Sequence, residues 1–223
     1  NAFREHWEAW RENEKIRVLL DSGLLLVEQP AHRDETFASS VSSEFADWTD
    51  RPAFIIDEAD GAIDSLPQAL ALGYDGASHK NCKGIVKGIA NAISLARERE
   101  KRERPVHLSG EDLANVGPIA LFQDLAMMAA LGIEHVERNG HHYFKGLSAW
   151  PEAVQASMLE NHGDLYRAHP EGYPTLRIKD GMLDLTSMNA SPFGPRELFD
   201  LSMMDSVEPS DPAGFIDSGL PID

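Results

Sequence analysis

Between Gly23 and Glu137 five short apolar runs alternate with four helix-patterned segments, and no other feature restricts the fold as much. Strands interleaved with helices pair in parallel, because each must be carried back to the same end of the sheet. The runs are Leu24–Glu28, Ala53–Asp57, Asp75–His79, Pro105–Leu108 and Ile133–Glu137. The first is continuously apolar, the pattern of a strand buried on both faces. The third is weak by propensity and is placed by the rhythm. Helical sequence fills Thr36–Trp48, Ser65–Leu72 (closed by Gly73), Lys83–Arg97 and Pro118–Leu131 (closed by Gly132). In Lys83–Arg97 the residues Ile85, Val86, Ile89, Ile93 and Ala96 form one apolar stripe, as on a core-facing side. The charged run Arg97–Arg104 reads as a solvated helix end and loop.

Before this region, residues 2–21 read as helical, with Phe3, Trp7 and Trp10 on one face and Ile16, Leu19 and Leu20 nearly opposite. A bend or two successive helices accounts for the switch. After Glu137 the rhythm lapses: Pro151–Glu160 is a helix, and Thr175–Leu185 a hairpin around Asp180-Gly181. The expected organisation is therefore 1–22 helix, 23–150 strand-helix units, 151–185 helix and hairpin, and 186–223 acidic tail. That tail has no Lys or Arg after Arg196 but seven acids from Glu197 to Asp223.

Composition removes several function classes. A net charge of −17 opposes nucleic acid or anionic lipid as main partner. No apolar run approaches the roughly 20 residues of a membrane span. The opening NAFREHWEAW has no secretory pattern, and Cys82 is the single cysteine, so no intrachain disulfide forms. A cytoplasmic location is expected.

The chemistry concentrates where three of the runs stop. LLLVEQP ends at Glu28, FIIDE at Asp57 and Glu58, and ASHKNCK at Lys80 and Lys83. Glu28 and Asp57 lie 29 positions apart, and Asp57 and Lys80 lie 23 apart. An eight-unit barrel of roughly 250 residues spends about 30 on each strand-helix unit and carries its catalytic groups at the strand C-termini. Carboxylates converging there suit a hard cation such as Mg²⁺, and a lysine beside that cation, partly desolvated, has its pKa pushed down to that of a usable base. Taken singly, each group has a plainer role: Glu28 at a helix N-terminus, Asp57 with Glu58 and Asp60 in a solvated turn, Lys80 and Lys83 as surface lysines.

VEQP, then IDE about 30 residues on, then a lysine-bearing strand end, resembles the enolase superfamily, most closely its mandelate racemase and muconate lactonizing enzyme group. Ile178–Leu185 (IKDGMLDL) resembles the segment that returns such chains to their capping domain. The resemblance covers Gly23–Leu185 and implies an α/β fold: about the last five strands of a modified TIM barrel, (β/α)7β. The N-terminal units and most of the capping domain are then absent from this chain. It implies Mg²⁺, with Mn²⁺ as substitute, gripping a small carboxylate substrate while a base removes the α-proton to give an enediolate. Glu28 and Asp57 match the second and third metal ligands, and Lys80, preferred over Lys83, the sixth-strand base. Glu58, His79, Glu111 and His141 are candidates for supporting or substrate contacts. The first metal ligand and the second-strand lysine have no counterpart, and the family's Gly-Gly pair after the lysine is replaced by Lys83-Gly84-Ile85.

The expected activity is that of a racemase, epimerase or cycloisomerase. An acid-sugar dehydratase of the same superfamily, or a barrel that binds metal or acid without turnover, is the alternative. Homo-oligomers are common in such a family, although no interface is marked here. The segment alone, with an open parallel edge, is expected to be inactive and poorly stable.

Overall fold

The structure, a computed structural model, describes residues 2–111, 115, 117–137, 144–190, 200, 202 and 204. His141 and most of the acidic tail lie outside them. The chain divides into two compact units, the first running through Phe144 and the second starting at Lys145.

The first unit opens with α1 (Ala2–Glu12) and α2 (Glu14–Gly23). Asn13 separates them, its side chain accepting from the Lys15 and Ile16 amides to cap α2. Then follow β1 (Val27–Glu28), α3 (Ser40–Ala46), β2 (Phe54–Ile56), α4 (Ser65–Leu72), β3 (Gly76–His79), α5 (Ile85–Arg99), β4 (His107–Glu111), α6 (Ile119–Leu131) and β5 (Val136–Glu137). The five strands form one parallel sheet in the order β1-β2-β3-β4-β5, curled as a half-barrel. Unbroken sequential order means that every crossover turns the same way, so the helices stack on one face. A doubly wound sheet instead reverses at a switch point. The expected five strands and four helices are all present. Among the described residues no helix is long and apolar enough to cross a membrane.

An aromatic cluster holds the first helix against the start of the sheet. Phe3 meets Phe54 edge-on at 5.5 Å, Trp7 meets Trp48 at 6.2 Å, and Phe45 meets Tyr74 at 4.9 Å. Below it, at the N-terminal ends of the strands, Asp75 is wholly buried between two arginines. It accepts from Arg51 Nη1 at 2.5 Å, Arg104 Nε at 2.8 Å and the Phe54 amide at 2.9 Å. Arg104 also donates to the Arg51 and Pro52 carbonyls, and Arg102 to those of Tyr74 and Leu70. The expected solvated run Arg97–Arg104 is thus corrected in its second half, which ties the bottom of the sheet together.

Two further expectations are overturned. LLLVE is not a long strand buried on both faces: only Val27 and Glu28 pair, while Leu24 and Leu25 are exposed. More consequentially, α5 turns its apolar stripe outward. Ile85, Val86, Ile89 and Ile93 are exposed, and the helix buries Lys87, Gly88, Asn91 and Leu95 instead. The cause is Asp60, 2% exposed after β2: Lys87 Nζ pairs with its Oδ2 at 2.5 Å and Asn91 donates to the same oxygen at 3.1 Å. A buried carboxylate deprived of such partners costs more than a few half-covered isoleucines return. Gly88 completes the arrangement, because a Cβ there would stand 2.5 Å from the His79 ring.

Gly76, at the head of β3, has φ 154°, and a Cβ there would stand 1.8 Å from the His107 carbonyl oxygen on β4. No rotamer relieves a clash with backbone. Gly76→Ala is expected to destabilise the protein by about 3 kcal/mol, read from urea unfolding; a loss below about 1 kcal/mol contradicts the packing described.

In the second unit α7 (Glu152–Asn161) precedes the antiparallel pair β6 (Tyr166–Ala168) and β7 (Pro174–Leu176). The expected hairpin is a tight turn, Asp180 and Gly181 both with positive φ, closed by mutual Lys179–Met182 backbone bonds.

Candidate functional site: carboxylates and lysines at the strand ends

Along a strand successive side chains alternate between faces, and the register then fixes what meets at the C-terminal ends. Glu28 lies opposite Ile55, two residues before Asp57, so Glu28 and Asp57 share a face. Ser78 pairs with Ser109, so Lys80 and Glu111, each two residues on, share one as well. The side-chain contacts unite both pairs. Lys80 Nζ lies 2.8 Å from Asp57 Oδ2 and 2.5 Å from Glu111 Oε2. Lys83 Nζ, on the short turn after β3, reaches Asp57 Oδ1 at 2.5 Å, the Asp57 carbonyl at 2.8 Å and the Ser78 carbonyl at 3.1 Å. Carboxylate oxygens of Glu28, Asp57 and Glu111 lie within 4.8 Å of one another. None of the site side chains in these ion pairs is more than 15% exposed.

The two lysines therefore differ. Lys83 spends its ammonium on two backbone carbonyls and one carboxylate oxygen, a fixed clamp on the Asp57 segment. Lys80 engages carboxylate side chains and is the more movable group. The lowered Lys80 pKa expected from the sequence is not what the geometry gives: burial works to lower it, but the hydrogen bonds and charges of Asp57 and Glu111 outweigh burial and hold it above the usual lysine range. Asp57 is likewise held below the usual carboxylate range, the two lysines overcoming the effect of burial.

Glu28 shows the opposite behaviour. Burial, and then the Asp57 charge, pushes its carboxyl up from 4.5 to about 7. Between those values the folded protein keeps a proton that the unfolded chain has released, so stability falls as pH rises through this window. Asp57 contributes stability above its ordinary value of 3.8 that is lost as the pH falls below it, outside that window. His79 and His107, which burial holds below the usual histidine range, act with the opposite sign as the pH rises toward 6.5, so the Glu28 contribution is read as a difference. In chelator, Glu28→Gln is expected to make the slope of the urea midpoint against pH more positive across this window, and a slope that Glu28→Gln leaves intact contradicts this assignment.

Other expected residues stand apart. Glu58 is exposed and joins none of these contacts. His79 is 4% exposed, faces α5 across Gly88 and bonds Asn81, on the opposite side of β3 from Lys80; burial lowers its pKa. His141 lies outside the described residues. Glu111, expected only as a supporting contact, joins the carboxylate cluster itself.

Gln29 was not anticipated. Its φ of 45° turns its carboxamide across the strand ends, where Oε1 accepts from the Asp57 amide at 2.8 Å and the Ala59 amide at 3.3 Å. Its Nε2 donates to Thr36 Oγ1 and the Ala31 carbonyl. A polar residue directly after a strand-end acid is the sole sequence signal for this role. Comparison of the chain with protein-family models, with curated proteins and with solved structures finds no match in any of the three.

Proposed function

We propose that the strand-end cluster binds a divalent cation, Mg²⁺ or Mn²⁺, and that the protein removes the proton α to a carboxylate of a small acid. On this reading the half-barrel corresponds to the last five strands of a (β/α)7β barrel of the enolase superfamily, and the reaction is a racemisation, epimerisation or cycloisomerisation. The observation that carries it is the convergence of Glu28, Asp57 and Glu111, from three strands, around the Lys80 ammonium. Three carboxylates offer only hard oxygen donors, the set that suits Mg²⁺ or Mn²⁺ rather than zinc or copper, so the residues present fit the group.

When bound, the cation supplies positive charge against which the enediolate is stabilised. The chain's residues do the rest. Glu28, Asp57 and Glu111 hold the cation, Lys83 and Gln29 fix Asp57, and Lys80 Nζ takes the α-proton. A base must shed its own proton first, and Lys80 can do so only after the pull of Asp57 and Glu111 on its ammonium is relieved. The pairing of both lysines with carboxylates supports a second reading, a barrel that binds metal or acid without turnover. Mass-spectrometric exchange of α-protons in D₂O by the full-length protein, over amino acids, dipeptides and hydroxy acids with Mg²⁺ or with chelator, separates the two. Metal-dependent exchange of one class supports the enzyme; tight Mg²⁺ binding without exchange of any acid supports the binding barrel.

A further inference from the structure

We propose that a divalent cation and the Lys80 ammonium are alternative occupants of one position, so that cation binding expels Lys80 from the carboxylates and frees it for the substrate. The inference rests on the cation reading above. Lys80 Nζ stands between Asp57 and Glu111, two of the three carboxylates whose oxygens converge. With its side chain 11% exposed, it neutralises in their midst the charge a cation would neutralise. Two positive groups at contact distance in a weakly screened site repel strongly, so the site holds one or the other. Lys80 is the one that can leave: its acceptors are side-chain carboxylates on a four-carbon stem, whereas Lys83 is also tied to the Asp57 and Ser78 carbonyls.

A separate observation points to a ligand at the same place. Ser78 and Ser109 face each other in the β3–β4 ladder, one step below Lys80 and Glu111 on the same face. They are 1% and 9% exposed, and among the described residues neither hydroxyl has a hydrogen-bond partner. Burying a hydroxyl unpaired is costly. A Mg²⁺ ion keeps several of its waters, and two hydroxyls at the floor of the cluster give such waters their partners. The ammonium alone leaves both hydroxyls unused.

Calorimetric titration of the purified protein with MgCl₂, beside Lys80→Met, tests the exchange. Removing the competitor is expected to tighten Mg²⁺ binding by on the order of tenfold. In the unmodified protein, Mg²⁺ is expected to raise acetylation of Lys80 by acetic anhydride several-fold while leaving Lys83 unchanged. This second readout decides the matter even where Lys80→Met does not fold. Binding by Lys80→Met that is no tighter, or Lys80 labelling indifferent to Mg²⁺, overturns the proposal while leaving the cation site standing. No Mg²⁺ binding by the unmodified protein at millimolar concentration overturns both.

Discussion

In the full-length protein Lys80→Ala is expected to slow α-proton exchange by about 10² to 10⁴-fold, the range that a positioned general base supplies, while binding the cation on the order of tenfold more tightly than the unmodified protein. The two readouts moving apart is the informative part. A lysine that serves only to neutralise Asp57 and Glu111 gives a different pattern: its removal leaves carboxylates that a cation compensates, and exchange survives. Lys83→Ala supplies the contrast. Lys83 holds the Asp57 carbonyl and Oδ1 together with the Ser78 carbonyl, so its loss is expected to weaken cation binding along with rate. Exchange that persists in Lys80→Ala and vanishes in Lys83→Ala reverses the roles assigned here.

The largest loss of stability is expected far from this site. Asp75→Ala removes the common acceptor of Arg51, Arg104 and the Phe54 amide, leaving guanidinium groups without their counter-ion at a position of 0% exposure. Breaking a buried pair from one side costs about 3–5 kcal/mol. Arg51 makes this worse, since it is pinned over the Phe45 and Phe54 rings, at 4.5 and 5.1 Å, and cannot swing out to water without uncovering them. The variant is expected to melt well below the unmodified protein. Asp75 lies at the N-terminal end of β3, where a barrel keeps its stabilising rather than its catalytic groups, so cation affinity in whatever fraction stays folded is expected to be unchanged. A loss under about 1 kcal/mol, or a weakened cation site in a folded variant, contradicts this division of the sheet into two ends.

The sequence made some of this visible and hid the rest for identifiable reasons. Helices α4 and α6 were legible because their stops, Gly73 and Gly132, are local and take left-handed φ values of 103° and 67°. Strand β3, unpromising by composition, was legible through the rhythm of its neighbours. The face of α5 was not: periodicity ranks residues by hydrophobicity, whereas the fold orients this helix through Lys87 and Asn91 on a buried Asp60 about 30 residues earlier. Arg102 and Arg104 looked like part of a solvated run because their acceptors, chiefly backbone carbonyls and Asp75, lie distant in sequence. At the site, Glu28, Asp57 and Lys80 announced themselves as charges ending apolar runs. The part Glu111 plays depends on the β3–β4 register, which sets it beside Lys80. Gln29 acts through a backbone conformation that no pattern of residue types displays.

Whether the strand-end carboxylates form a metal centre is decided by titration with Mn²⁺ followed by electron paramagnetic resonance. One Mn²⁺ is expected to bind per chain, weakened by at least about tenfold in each of Glu28→Gln, Asp57→Asn and Glu111→Gln, and unaffected by Glu58→Gln. Several weak sites that moderate salt abolishes, with affinity indifferent to Glu28→Gln and Glu111→Gln, would mean that the acidic chain merely attracts cations and that the strand-end carboxylates form no metal centre.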